Sequence, residues 1–99
     1  MGLLVSPFIL GGPAERRAAL LEEARKAKPS AKLLAEGVAD ENAIVRRTAA
    51  RALAGLGMPA RAALEKALAD EDVVVRRTVL TGLLRLEGVD PLPYLATAI

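Results

Sequence analysis

The sequence predicts an all-α fold, a right-handed α-solenoid of stacked antiparallel helix pairs with about six helices. Two observations predict it. A nine-residue segment, Asp40-Glu41-Asn42-Ala43-Ile44-Val45-Arg46-Arg47-Thr48, recurs 30 positions later as Asp70-Glu71-Asp72-Val73-Val74-Val75-Arg76-Arg77-Thr78, and self-similarity at a fixed period is the signature of a repeat architecture. The apolar mass is Ala, Leu and Val, while Phe8 and Tyr94 are the whole aromatic complement and Trp is absent. Ala and Leu are strong helix formers whose small volumes suit close helix–helix contact, whereas a β-sandwich would draw on Thr, Tyr, Phe and Ile.

Residues 1–12 read as an apolar N-terminal arm. Met1 to Leu10 are apolar apart from Ser6, with Pro7 inside the run. The run is too short to span a bilayer. It lacks a basic leading region, and Gly11-Gly12-Pro13 is not a small-residue cleavage site, so it does not read as a signal peptide. Two roles stay open, packing on the helices of its own chain and docking on another chain or a partner.

A single repeat domain is expected over 13–99. Residues 13–28 read as one helix with Pro13 at its first position. Arg16-Arg17 precedes Arg46-Arg47 by 30 residues, which makes this a degenerate second helix of an earlier unit. A full repeat follows at 29–58. Ser30 is a candidate N-cap for its first helix, which places Leu34 and Val38 on one face. Asp40-Glu41-Asn42 breaks the pattern, and Asn42 can cap the next helix. There Val45, Ala49, Ala52, Leu53 and Leu56 form a helical stripe. Gly55-Leu56-Gly57 and Pro59 end it. The second repeat, 59–88, has Leu64, Ala67 and Leu68, the Asp70-Glu71-Asp72 turn, and then Val75, Val79, Leu83 and Leu86. Ten of the 30 aligned positions are identical between 31–60 and 61–90. Residues 89–99 read as the first helix of a third unit, with Leu95, Ala98 and Ile99 matching Leu64, Ala67 and Leu68 at a spacing of 31. The stack therefore begins and ends mid-unit, as in a piece cut from a longer array. Two full units and two halves sit near the roughly three repeats that such stacks need, and uncovered ends favour self-association or a tight partner.

The pattern of an apolar first helix, Asp-x-Asp/Asn-x-x-Val-Arg, Ala and Leu at helical spacing and Leu-x-Gly resembles HEAT repeats. The short 30-residue form is similar to the HEAT-like repeats of phycobilisome-lyase type, although nothing in the chain indicates a bilin site. The resemblance covers 31–99 well and 13–30 weakly. It implies a scaffold or binding role, with the second helices lining the concave surface. It also implies a ladder in which Arg46 and Arg76 pair with the turn residues Asp40 and Asp70 of their own or a neighbouring repeat. A guanidinium can hold a carboxylate bidentately, so a repeated pair would fix the stacking angle.

Arg47, Arg51, Arg77 and Arg85 lie off the apolar stripe, and Arg17 can extend their row. They form either a solvated face or a basic patch for an acidic protein segment or a phosphate backbone. No aromatic residue interleaves them, so a base-stacking platform is absent. Leu80 and Leu84 stand where the first repeat has Ala50 and Ala54, widening the apolar arc of that helix. Such an arc is normally covered. The cover is either another part of this chain or a partner, which makes the two leucines candidate partner-binding residues. Gly82, matching Ala52, allows close packing.

Composition narrows the chemistry. The chain has no Cys and no His, so thiolate metal sites, disulfides and the commonest general base are missing. The absence of Cys fits a cytoplasmic protein. The carboxylates of Asp40, Glu41, Asp70, Glu71 and Asp72 sit in turns without a nucleophile or a ligand set beside them, and no glycine pattern forms a phosphate-binding loop. No catalytic residue, cofactor or metal is expected, and no membrane partner. Net charge is +2, short of a dense basic stripe. The expected function is a non-enzymatic protein–protein interaction or scaffold module, a small adaptor or assembly subunit acting through its second-helix face and apolar flank. Alternatives are a phosphate-backbone nucleic-acid binder and a structural homo-oligomer.

Overall fold

The computed structural model describes residues 11–98. Residues 1–10, most of the expected arm, and Ile99 lie outside them. The described residues form six α-helices and one short 3-10 turn, with no strand: α1 (Pro13–Ala24), α2 (Ala31–Val38), α3 (Ala43–Ala54), the 3-10 turn Met58–Ala60, α4 (Arg61–Ala67), α5 (Val73–Leu84) and α6 (Leu92–Ala98). The fold is an α-solenoid. The second helices α1, α3 and α5 pack side by side as one layer. Helices α2 and α4 cover α3 and α5 from the other side, and α6 packs on α5.

Local chemistry sets the helix boundaries. The Ser30 side chain accepts the Leu33 N–H and starts α2. Asn42 Oδ1 accepts from Ile44 and Val45, and Asp72 Oδ1 accepts from Val74 and Val75, so both second helices begin on the same Asx cap. These bonds satisfy N–H groups that the first turn would otherwise leave without a partner. Gly57 and Gly88 take φ of +75° at equivalent turns, a left-handed conformation open to Gly without strain. They lie 31 residues apart because the turn after α5 carries one extra residue, Arg85-Leu86-Glu87 replacing Gly55-Leu56. That insertion produces the longer spacing seen in the sequence.

The core is continuous. Leu20, Leu34, Val45, Leu53, Leu64, Val75, Val79 and Leu83 are its largest fully buried side chains, each contributing about 1.5–3 kcal/mol. Two glycines let the backbones approach. A Cβ on Gly37 would lie 2.7 Å from Leu20 Cδ2 and 2.8 Å from Ala49 Cβ. One on Gly82 would lie 2.9 Å from Ala54 Cβ and 3.0 Å from its Cα, so α3 and α5 meet where Gly82 has no side chain.

Two polar arrangements tie down the ends. Glu23 stands at the position of core residues Leu53 and Leu83 yet is itself buried. Its carboxylate accepts from Lys26 Nζ and from the Ser30 N–H, each at 2.8 Å, closing the loop into α2. Those two bonds, the lysine's first, hold the carboxyl below its ordinary range. At the other end Tyr94 is buried; its hydroxyl donates to Glu65 Oε2 at 2.8 Å and accepts from Arg61 Nε at 3.1 Å, joining α6 to α4.

Candidate functional site

The turn between the two helices of each full repeat carries a nearly buried ion pair made with the second helix of the preceding unit. Arg16 Nε and Nη2 donate to the two oxygens of Asp40 at 2.7 and 3.0 Å. Arg46 Nε and Nη2 donate to those of Asp70 at 3.0 and 3.4 Å. Both pairs span 24 residues, so the carboxylate belongs to the next turn in the chain and not to the arginine's own. The remaining donor, Nη1, points back. On Arg46 it reaches the carbonyls of Asp40 and Glu41 at 2.9 and 3.0 Å, and on Arg76 that of Asp70 at 2.7 Å. Asp70 therefore pairs its carboxylate with Arg46 and lends Arg76 only its backbone. Among the described residues Arg76 has no carboxylate partner.

The aspartates also order their turns. Asp40 Oδ1 accepts the Asn42 N–H at 2.9 Å, and Asp70 Oδ1 accepts the Asp72 N–H at 2.8 Å. In Asp-x-Asn/Asp, then, the first residue joins repeats and the third starts the helix. The guanidinium of Arg16, followed by the Asn42 N–H, holds the Asp40 carboxyl below its ordinary range against the opposing effect of burial. The exposed Glu41 and Glu71 lie 4.0 and 3.7 Å from Arg16 and Arg46 and add little.

A second ion pair exists between α3 and the turn before α5. Arg47 Nε and Nη2 grip Asp72, the shortest bond being 2.7 Å. Asp72 thus caps α5 and neutralises Arg47 together, and the arginine's bonds bring its carboxyl down to about 2. Sequence reasoning left Arg47 on either a solvated face or a basic patch and assigned Asp72 only to its turn. The preceding step lacks this pair, because Asn42 stands where Asp72 does. Arg17, the counterpart of Arg47, is exposed and makes no side-chain hydrogen bond or ion pair among the described residues.

The outward side of the second-helix layer is a grid with a 30-residue period. One row holds Arg17, Arg47 and Arg77; the next holds Leu21, Arg51 and Thr81; a third holds Ala24, Ala54 and Leu84. Arg51, Arg77 and Arg85 are exposed. Leu21, Ile44, Val73 and Leu84 are between 39% and 51% exposed, so apolar surface is interspersed with the arginines. Leu80 and Leu84 differ. Leu80 shares its row with the fully buried Leu20 and Ala50 and is half-buried against the core, whereas Leu84 faces outward.

Among the described residues there is no cluster of acidic, Cys or His side chains able to hold a metal ion, and no helix long and apolar enough to cross a membrane. Paired helices stacked on a shared core and joined turn to turn by arginine–aspartate pairs define a helical-repeat protein. The model of the HEAT repeats family matches residues 30–99, and the chain belongs to that family. HEAT repeats generally mediate protein–protein interaction or scaffolding and are generally non-enzymatic. Comparison with curated proteins and with solved structures returned no match.

Proposed function

We propose that this chain is a protein–protein interaction module whose binding face is the outward side of α1, α3 and α5. The observation that carries the reading is the mixed surface there. Leu21, Ile44, Val73 and Leu84 are exposed on one layer among Arg17, Arg51, Arg77 and Arg85. Interface cores favour apolar and Arg contacts over Lys and Glu, and a partner laid along the layer would desolvate both kinds at once. Leu80 contributes from beneath by backing the face; Leu84 is available for contact. The ladder of Asp40, Arg46, Asp70 and Arg76 is assigned to stacking, with the partner left to the surface above it.

The arginine row argues against the alternative of a phosphate-backbone binder. Tracking a backbone uses successive uncompensated cations, and here the middle arginine, Arg47, is already neutralised by Asp72. Self-association is favoured by one further observation: Leu92 and Leu95 on α6 are 67% and 38% exposed, apolar surface that a second copy could cover.

Photo-crosslinking tests the main reading. A photoreactive residue at Ile44 or Leu84 should give discrete partner adducts in the source cell. One at the exposed Lys32, on the first-helix layer, should not. Adducts equal at all three positions, or none from Ile44 and Leu84, would refute the assigned face. Light scattering across concentration, with Leu95→Glu as the control, tests the self-association reading.

A further inference from the structure

The α3–α5 step contains a built carboxylate seat, and the α1–α3 step contains the same seat with the carboxylate missing. The caps that frame the two are superposable in kind. Asn42 and Asp72 have φ, ψ of −89°, 124° and −87°, 124°, and each accepts from the same two N–H groups at 2.9 to 3.2 Å. The difference is the second side-chain atom. In Asp72 it is an oxygen that takes Arg47 at 2.7 Å. In Asn42 it is an NH2, which donates and cannot accept from Arg17.

The electrostatics of this empty seat favour an anion. The positive end of the α5 dipole meets the charged Asp72, whereas α3 starts on a neutral Asn and has no acid in its first turn. Residues 1–10 contain neither Asp nor Glu, so that segment has no acidic side chain to bring to Arg17. Space is present as well. A groove of about 310 Å³ opens between the starts of α1 and α3, lined by Arg17, Asn42 and Ile44. A second, of about 240 Å³, runs on past Arg17 between Leu21 and Arg51. Leu21 and Ile44 are 39% and 51% exposed, one on each side of the arginine.

We infer that the α1–α3 groove docks an acidic segment of a protein partner, with one Asp or Glu side chain seated on Arg17 and flanking apolar side chains against Leu21 and Ile44. The inference rests on the interaction reading above and names the chemistry of its partner. The protein's own Asp72 on Arg47 is the template for the contact, bidentate and at a helix N-terminus.

Random dodecamer peptides displayed against the full chain, followed by fluorescence anisotropy of the best labelled peptide, test it. Selected peptides should share an acidic residue beside an apolar one. Arg17→Gln should weaken binding about tenfold, the loss expected for one charge-assisted contact. Asn42→Asp should weaken it comparably by supplying Arg17 with an internal carboxylate, while melting at or above the wild-type temperature, which separates lost binding from lost folding. Asp72→Asn should leave the Arg17 site intact and add a second, weaker one at Arg47. Selected peptides without an acid, or binding unchanged by Asn42→Asp, overturn this inference and leave the interaction reading standing. No peptide enriched on any face counts against both. A mixed-sequence DNA duplex that displaces the peptide and itself weakens with Arg17→Gln assigns the seat to phosphate and overturns it too.

Discussion

The two steps of the stack, α1 to α3 and α3 to α5, use the same joint and finish it differently. Both are held by a nearly buried arginine bonded through two nitrogens to the aspartate of the following turn. The glycines serve them differently: Gly82 lets α5 approach α3 at Ala54, whereas Gly37 seats α2 against Leu20 of α1 and Ala49 of α3. Only the second step adds the outer pair Arg47–Asp72. The inner pair accompanies stacking wherever it occurs. The outer pair is dispensable to stacking, since α1 packs on α3 without it. A residue free to vary without loss of fold is a place where a surface can acquire a role.

The comparison can be broken or sharpened by mutation. Asp70→Ala should have the largest effect, because it strands the Arg46 guanidinium in a site where both side chains are about 10% exposed. Removing one partner of a buried pair costs about 3–5 kcal/mol, and the lower end already threatens a stack of this size. Chemical denaturation should show the loss, and Asp40→Ala should behave alike if the two joints are equivalent. Gly82→Ala comes next. Its Cβ meets Ala54 backbone and side chain, which cannot swing away, and overpacking of this kind costs about 1–3 kcal/mol. Calorimetry should record a drop of several degrees or more. Gly37→Ala should cost a similar amount, since its Cβ meets the equally fixed Ala49 Cβ at 2.8 Å as well as the buried Leu20 side chain.

Smaller still is Asp72→Asn, which keeps the cap and removes the outer pair. Its signature is pH dependence. The Asp72 carboxyl is held down to about 2 from an ordinary 3.8. The stability it contributes is therefore present above about pH 4 and is lost as pH falls toward 2. The gap between wild type and Asp72→Asn should be open at pH 7 and close over that window; a constant gap would show that the ion pair contributes nothing beyond the cap. The smallest effect is expected for Asn42→Asp, which gives the first step its own outer pair. Its melting temperature should stay level or rise slightly, as exposed pairs contribute about 0.2–1 kcal/mol.

The fold was legible because it is written twice. Periodic Leu, Val and Ala, the Asp-x-Asn/Asp turns and the glycine stops are local signals, and the 30-residue register aligned them. The involvement of Arg46 and Asp70 in a ladder was legible by resemblance, but their pairing partners were not. Whether an arginine meets its own turn or the next depends on how helices stack, and no local pattern carries that. The bond between Arg47 and Asp72 was missed for a related reason. Asp72 has a sufficient local purpose as a cap, which hid its second bond across the repeat. Comparing Asn42 with Asp72 in the aligned copies was the available signal. Glu23 went unnoticed because it interrupts the periodicity that made the rest readable. The tie of Tyr94 to Arg61 and Glu65 joins helices whose contact is set by the stack.

The ladder also has a direction. Arg46 holds the backbone of its own turn and the side chain of the one downstream, so the fit being checked there is between a unit and its successor. The 30-residue block 41–70 contains one such arginine, Arg46, and one such aspartate, Asp70. A tandem copy of that block arrives with its upstream and downstream contacts already specified. Such a gene can lengthen by duplication without first inventing a joint, and an edit at a single cap residue in one copy can then open a new surface while the others keep the stack.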